Sequence, residues 1–418
     1  MKRFPALLLT AGLFLFFAGC KSYDSDFVEK SPEQLAAMEQ NDKKAHKLFL
    51  DGEFEKAERL LRELVKERTI NLLLYQQELI SLLTIRNQHE EALEFMLEQH
   101  KEWEILLSPA FKEKAENLWH GNDDVYLASE YERTFLYLLM ALSYIDQSRF
   151  DDALRCVKYG LSVGAAKNLR YNRKGGNSPA AKNWDKFPIL YYVGYFAAAR
   201  SGNIDLAELF FRKMLESVRT HGFLQEEAGK KSSYDHLRNV DCNVLLLVWT
   251  GEPPTVAHDL QSDKKVIVQN RNPWDMVSIS ADGAPPLFFP PHLGALDLFA
   301  TTSSYVSKED VTNWQQHISD PEISYPFCRI LPGNISILPL KLSPGKHKIF
   351  LSGHNRSDRG TMRIVEIKVS ENGLDVIHLP LMHYPGNISE IRKKHWETEW
   401  KNIIEQSSGD RLKTEIGK

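Results

Sequence analysis

Gly52-Glu53-Phe54-Glu55-Lys56-Ala57 carries the pattern that decides the helical half of this chain. A small or polar turn residue is followed two places later by a usually apolar one, and Ala comes three places after that. The pattern returns as Asn87-Gln88-His89-Glu90-Glu91-Ala92, with His in the apolar place. It returns again as Ser148-Arg149-Phe150-Asp151-Asp152-Ala153 and Gly202-Asn203-Ile204-Asp205-Leu206-Ala207. Each copy predicts a helix–turn–helix. The turn residue must tolerate a positive φ, the apolar residue packs back on the preceding helix, and Ala lets two helices approach closely. Upstream, Ala45 and Ala141 take the small position of the first helix. Downstream, Leu61, Met96, Val157 and Phe211 take the large position of the second.

These hairpins resemble tetratricopeptide repeats. Ala57 and Ala92 are 35 residues apart, close to that motif's period of about 34 residues. The next intervals are 61 and 54, so insertions fall near Leu106–Glu130 and Gly164–Asp185. The second insertion is basic (Lys167, Arg170, Arg173, Lys174, Lys182) and reads as a solvated loop. Ser31-Pro32-Glu33 opens the helical region as an N-cap followed by Pro at the first helical position, and the region runs to about Phe223.

From Asp241 the period changes. Val244–Trp249 is a continuous apolar run suited to a strand buried on both faces. Lys265–Gln269 and Met276–Ser280 are further strand candidates, and proline crowds Ala284–Pro291. Ile335–Lys341 and Lys346–Ser352 flank Ser343-Pro344-Gly345, a turn with Gly in the positive-φ place. Val365, Ile367 and Val369 alternate with Glu366 and Lys368, and Asn372-Gly373 predicts a hairpin into Leu374–Leu381. The pattern predicts an α+β protein: a helical repeat domain (31–235), then a small antiparallel β-sandwich domain (240–385). A charged C-terminal helix and tail (386–418) carries Trp396 and Trp400 four apart.

The N-terminus reads as an address. Lys2 and Arg3 precede an apolar run of 14 residues, Phe4 to Phe17, shorter than the roughly 20 a spanning helix needs. The run ends in Phe17-Ala18-Gly19-Cys20 and turns polar at Lys21-Ser22. This resembles the lipobox of bacterial lipoproteins. The resemblance implies a signal peptide (1–19), acylation of Cys20 and a polar tether (20–30). It also implies a lipid-anchored body in the cell envelope. Lys21 stands where inner-membrane retention in enteric bacteria uses Asp, so in a cell with two membranes the outer membrane facing the periplasm is expected.

Taken in order, several pieces follow Cys20 and the repeats: Tyr131-Glu132-Arg133, Leu136–Leu142, Val244–Trp249 and Leu342-Ser343-Pro344-Gly345-Lys346-His347. Their order is similar to a family of uncharacterised bacterial lipoproteins with tetratricopeptide-like repeats and a β-rich C-terminal domain. The long Gly164–Asp185 insertion and the proline-rich middle depart from it. The resemblance implies no activity and no catalytic residues.

The 418 residues include 52 basic and 56 acidic side chains for a net charge of −4. That composition excludes a disordered or multi-span membrane chain and gives no broad attraction to nucleic acid. Four cysteines are too few for a disulfide scaffold; with Cys20 set aside, Cys156, Cys242 and Cys328 read as buried free thiols. Gly160-Leu161-Ser162-Val163-Gly164 has the letters of a nucleophile elbow, but it follows a helix rather than a strand and reads as a glycine-capped helix end. His292, His347, His354, His378 and His383 lack short metal-ligand spacing. Asp123-Asp124 with Glu130 and Glu132 read as a solvated helix start rather than paired catalytic acids. No catalytic residue, metal ligand or cofactor is therefore assigned.

Trp119, Tyr126, Tyr131, Tyr137 and Tyr144 form an aromatic series. Tyr137 and Tyr144, seven apart, share a helix face and suit a core; lining a concave groove instead, the series becomes the candidate partner-binding surface. The expected function is a membrane-anchored, non-catalytic scaffold that holds an envelope protein through its repeats. The alternative is a glycan- or peptidoglycan-binding envelope protein, read out by the β-domain and aromatic loops.

Overall fold

The computed structural model of this chain describes residues 30–69, 71–106, 126, 128, 130–173, 187–220, 234, 237–251, 253–259, 264–268, 276–284, 286–289, 328–354, 360–371 and 373–381. The protein is α+β, with helices in the N-terminal half and strands in the C-terminal half. The helices are α1 (Pro32–Leu50), α2 (Phe54–Lys66), α3 (Leu72–Ile85), α4 (His89–Leu106), α5 (Glu130–Asp146), α6 (Phe150–Arg173), α7 (Pro188–Arg200) and α8 (Ile204–Thr220). The strands are β1 (Val244–Thr250), β2 (Thr255–Asp259), β3 (Lys264–Val268), β4 (Met276–Ala281) and β5 (Leu287–Phe289). They continue with β6 (Asn334–Leu340), β7 (Gly345–His354), β8 (Gly360–Val369) and β9 (Asp375–Leu381).

Ser31 caps α1 through a capping box: the Gln34 amide donates to Ser31 Oγ, and the Ser31 amide donates to Gln34 Oε1. Four hairpin turns then repeat one geometry. Gly52, Asn87, Ser148 and Gly202 have φ of 76°, 58°, 57° and 81°. In each turn the next amide (Glu53, Gln88, Arg149, Asn203) donates five residues back, to the carbonyls of Leu48, Leu83, Tyr144 and Ala198. This closure satisfies carbonyls that a helix end would otherwise leave bare. Ala57, Ala92, Ala153 and Ala207 are buried at the close approaches.

Of the hairpins' first helices, α3, α5 and α7 lie inward, whereas α1 is buried only at Met38, Asp42, Ala45 and Phe49. Every residue of α3 is buried, as is α7 from Pro188 to Ala198. What covers them is the chain's own sheet. In β1, Leu245, Leu247 and Trp249 join the helical core, whereas Val244, Leu246 and Val248 join a second core between two sheets. The expectation of a strand buried on both faces is met because β1 lies between layers. Helices, a three-stranded sheet and a four-stranded sheet stack in that order, and one apolar cluster runs across the boundary between residues 235 and 240.

The three-stranded sheet has the order β6-β1-β9. β1 pairs antiparallel with β6 (Trp249 opposite Ile335) and parallel with β9 (Trp249 opposite Pro380). The four-stranded sheet, β5-β4-β7-β8, is antiparallel, and β2 with β3 forms a separate pair. The purely antiparallel sandwich read from the sequence is corrected at β9. A tight hairpin into that strand would pair it with β8, but β8 pairs with β7 and β9 crosses to the other sheet beside β1. Leu379 and Leu381 thereby join the core between the sheets, while Leu374 and Val376 join the helical one. Gly373 has φ 138° at that crossing and Gly345 φ 126° at the crossing from β6 to β7.

Two further readings change. The segment Gly160–Gly164 lies inside α6, which continues to Arg173, so it is neither a helix end nor a strand-to-helix elbow. A Cβ on Gly160 would meet Leu190 Cδ2 at 2.8 Å and Tyr137 Cβ at 3.1 Å; this glycine lets α5, α6 and α7 touch. The start of the basic insertion is likewise helical, and residues 174–186 lie outside the described residues.

Candidate functional site

Two buried polar joints tie the helices to the sheet. In the first, Cys328 and Arg329 lead into β6 and meet acidic side chains on α1, α3 and α5. Glu132 of α5 accepts from the Cys328 amide (3.0 Å) and from the Tyr126 hydroxyl (2.6 Å) on the same oxygen. Glu78 of α3 accepts from the Arg329 amide at 2.8 Å, and the Arg329 guanidinium pairs with Asp42 of α1. Burial, and then the nearby Asp42, push Glu78 well above the usual carboxylate range. Asp42 Oδ1 and Glu78 Oε2 are buried acceptors lacking a donor when both groups are counted as ionised. A proton on Glu78 resolves both, because the neutral acid donates to Asp42.

A cavity of about 390 Å³ opens beside this joint, lined by Asp42, Asn71, Tyr75 and Arg329 among others. Burial raises the Tyr75 hydroxyl far above its ordinary value, which keeps it a neutral donor. The named carboxyl contacts go to backbone amides, the Tyr126 hydroxyl, one guanidinium and each other. Chemically, the arrangement anchors a segment.

In the second joint, two helix turns hold β9. Asn87, the positive-φ residue between α3 and α4, accepts from the His378 amide at 2.9 Å. Asp146, at the end of α5, accepts from the Val376 amide at 2.9 Å. His89 Nε2 lies 2.7 Å from the Val376 carbonyl oxygen, and Trp249 Nε1 lies 2.9 Å from His378 Nδ1. Burial raises Asp146, with His89 and the Val376 amide pulling the other way. A cavity of about 760 Å³ lies over these turns, lined by Gln88, His89, Glu90, Glu94 and Asp146 among others.

Tyr126, Tyr131, Tyr137 and Tyr144 are all buried, at 6%, 0%, 8% and 8% exposure, so none of the four lines an open groove. Trp119, Cys20, Asp123, Asp124, His292, His383, Trp396 and Trp400 lie outside the described residues. Tyr137 reaches the outer surface at its rim, where it stacks on the half-exposed Tyr159 (centroids 5.9 Å, 20°) and hydrogen-bonds His100 at 3.0 Å. His347 and His378 stand apart. Both nitrogens of His347 face oxygen atoms, of Asp282 and of the Ser343 carbonyl, each at 2.6 Å. These contacts raise its pKa. Cys156, Cys242 and Cys328 are free, buried thiols, and burial raises each of them, Cys156 to about 12 and Cys242 to about 11.

Among the described residues no group of three or more His, Cys, Asp or Glu side chains is arranged to hold a metal ion. None of their helices is long and apolar enough to cross a membrane. Asp42, Glu78 and Asp146 escaped sequence reasoning, although a signal existed for the first two; Asn87 is read there only as a turn residue, and Glu132 as part of a solvated helix start, a reading corrected by its burial. Gln76-Gln77-Glu78 interrupts an otherwise apolar helix, and Asp42 lies on one face with Ala45 and Phe49. Comparison of the chain with protein-family models, curated proteins and solved structures finds no match.

Proposed function

We propose that this protein is an exported lipoprotein, anchored through acylated Cys20, that acts as a non-catalytic scaffold in the cell envelope. The Phe17-Ala18-Gly19-Cys20 sequence supports the anchor. The helical part is read as tetratricopeptide-like; four turns of one geometry and the 35-residue spacing of Ala57 and Ala92 support that reading. The observation that carries the scaffold reading is the fate of the inner groove. Helix repeats of this kind offer a concave face to a ligand, and here β1, β6 and β9 occupy it. The shifted acids are spent on the same junction.

A partner therefore meets the outer row, α2, α4, α6 and α8. There Tyr159 (53% exposed) and Leu97 (37%), with Ile204 and Leu209 of α8, stand out from a charged surface that includes Arg62 paired with Glu58 and Glu91. Two experiments test the reading. Cys20→Ala should abolish palmitate incorporation and membrane retention; continued labelling refutes the anchor. A photo-crosslinker at position 159 of the full chain should capture one discrete envelope protein, lost in Tyr137→Ala. Capture of none, with sacculi bound instead, favours the glycan-binding alternative.

A further inference from the structure

His89 and His378 are buried with ring centroids 5.3 Å apart. Their neighbours fix both tautomers. The indole N–H of Trp249 only donates, so His378 Nδ1 accepts and the neutral ring carries its proton on Nε2. The Val376 carbonyl only accepts, so His89 carries a proton on Nε2 and a lone pair on Nδ1. The two remaining nitrogens, His378 Nε2 and His89 Nδ1, are buried without partners. One is thus a bare donor and the other a bare acceptor, on rings in contact. Orphans of opposite sense on adjacent rings satisfy each other through a small ring rotation or one bridging water. The same tautomer leaves His378 no free lone pair for a metal.

We propose that His89 and His378 form a one-proton pair that closes the joint between the helix turns and β9 when both rings are neutral, and that acid opens it. A second proton has two places to go. On His89 Nδ1 it removes the acceptor and sets two N–H groups against each other; on His378 Nδ1 it displaces the Trp249 donor. Either way a buried cation is left.

The surrounding charges do not rescue that state. Asp146 of α5 is the carboxylate across the joint: one oxygen accepts from the Val376 amide, and attraction to a charged His89 is set against the burial that raises its own pKa, so acid removes this countercharge as it supplies the cation. On α4, Glu91 is paired with Arg62, and Glu90 and Glu94 line the open cavity. Arg86, following α3, is paired with Glu55 and Glu58. On β9, Asp375 accepts from Ser370, and Arg363 of β8 donates to the Pro380 carbonyl. β1 brings the uncharged Trp249. Burial, and then His89, hold His378 well below its ordinary 6.5. A depressed histidine contributes its stability above the unfolded value and loses it as pH falls. The open-to-closed ratio therefore rises by about tenfold per pH unit below roughly 6.5.

The test uses the full chain, with nitrogen NMR of the imidazoles and amide exchange corrected for intrinsic rates. At about pH 7.5 both rings should be in the Nε2–H form. From about pH 6.5 to 5, the Val376 and His378 amides should lose about tenfold in protection per unit, relative to amides between β1 and β6. His89→Gln keeps a donor for the Val376 carbonyl and removes one of the two proton sites, so it should reduce that dependence to the part carried by His378. A His378 ring in the Nδ1–H form, a charged ring near pH 7.5, or protection that tracks the β1–β6 amides overturns the proposal. If His89→Gln does not fold, the tautomers and exchange of the unsubstituted chain still decide.

Discussion

Glu78 and Arg329 are the residues at which a single atom exchange is most informative. Glu78→Gln keeps an oxygen for the Arg329 amide and supplies an N–H to Asp42, the bond assigned here to the protonated acid. At acidic pH the variant should lie within about 1 kcal/mol of the parent in urea melts. Above that range the two should diverge. Because the folded pKa of Glu78 is raised, its contribution is complete below about 4.5 and fades as pH rises toward the folded value. The parent should therefore lose stability with rising pH, and Glu78→Gln should lose less. Arg329→Ala strands the buried Asp42 carboxylate, and about 3–5 kcal/mol of destabilisation is expected in the same melts. His347 behaves in the reverse sense to His378: oxygen partners on both nitrogens favour the charged ring there, whereas a donor on one side forbids it here.

Among the elements, the hairpin turns separate backbone strain from side-chain bonding. Gly52→Ala meets nothing within 4 Å, so its expected cost of about 1–2 kcal/mol comes from the positive φ alone. Asn87→Gly keeps the φ but deprives the His378 amide of its acceptor. Its expected cost of about 1–3 kcal/mol should appear in thermal melts together with faster exchange at His378. Gly160→Ala gains about 1 kcal/mol of helix propensity. The crowding against Tyr137 Cβ and Leu190 outweighs it, so the variant should melt lower than the parent.

These elements were legible in the sequence to different degrees. The turns could be read because φ tolerance is a local property of Gly and Asn, while Ser148 takes its φ of 57° from the position's place in the repeat rather than from its own preference. The pairing of β9 could not be read. Asn372-Gly373 suits a hairpin, and only the two separate cores reveal why the strand crosses instead. The histidine in the apolar place of the second repeat was visible, but its reason, the Val376 carbonyl, lies 287 residues away in sequence.

For the whole molecule, the question is whether helices and strands are one body. The α+β division was legible because the hydrophobic period changes near residue 240. That the sheet covers the inner helices was not legible, because an inner helix packed on a sheet and one packed on a partner carry the same apolar residues. All of α3 and most of α5 and α7 are buried in a cluster that includes Leu245, Leu247 and Trp249. Without the strands, the inner helices would expose that surface to water. The scaffold reading depends on this closure, since it moves any partner to the outer helices. The most direct measurement is native-state hydrogen exchange of the full chain across a urea series, following α3, α5 and β1 together. A common opening free energy and a common urea dependence are expected for the three segments. Opening of β1 at lower urea, with α3 and α5 still protected, would contradict a groove closed by the protein's own sheet.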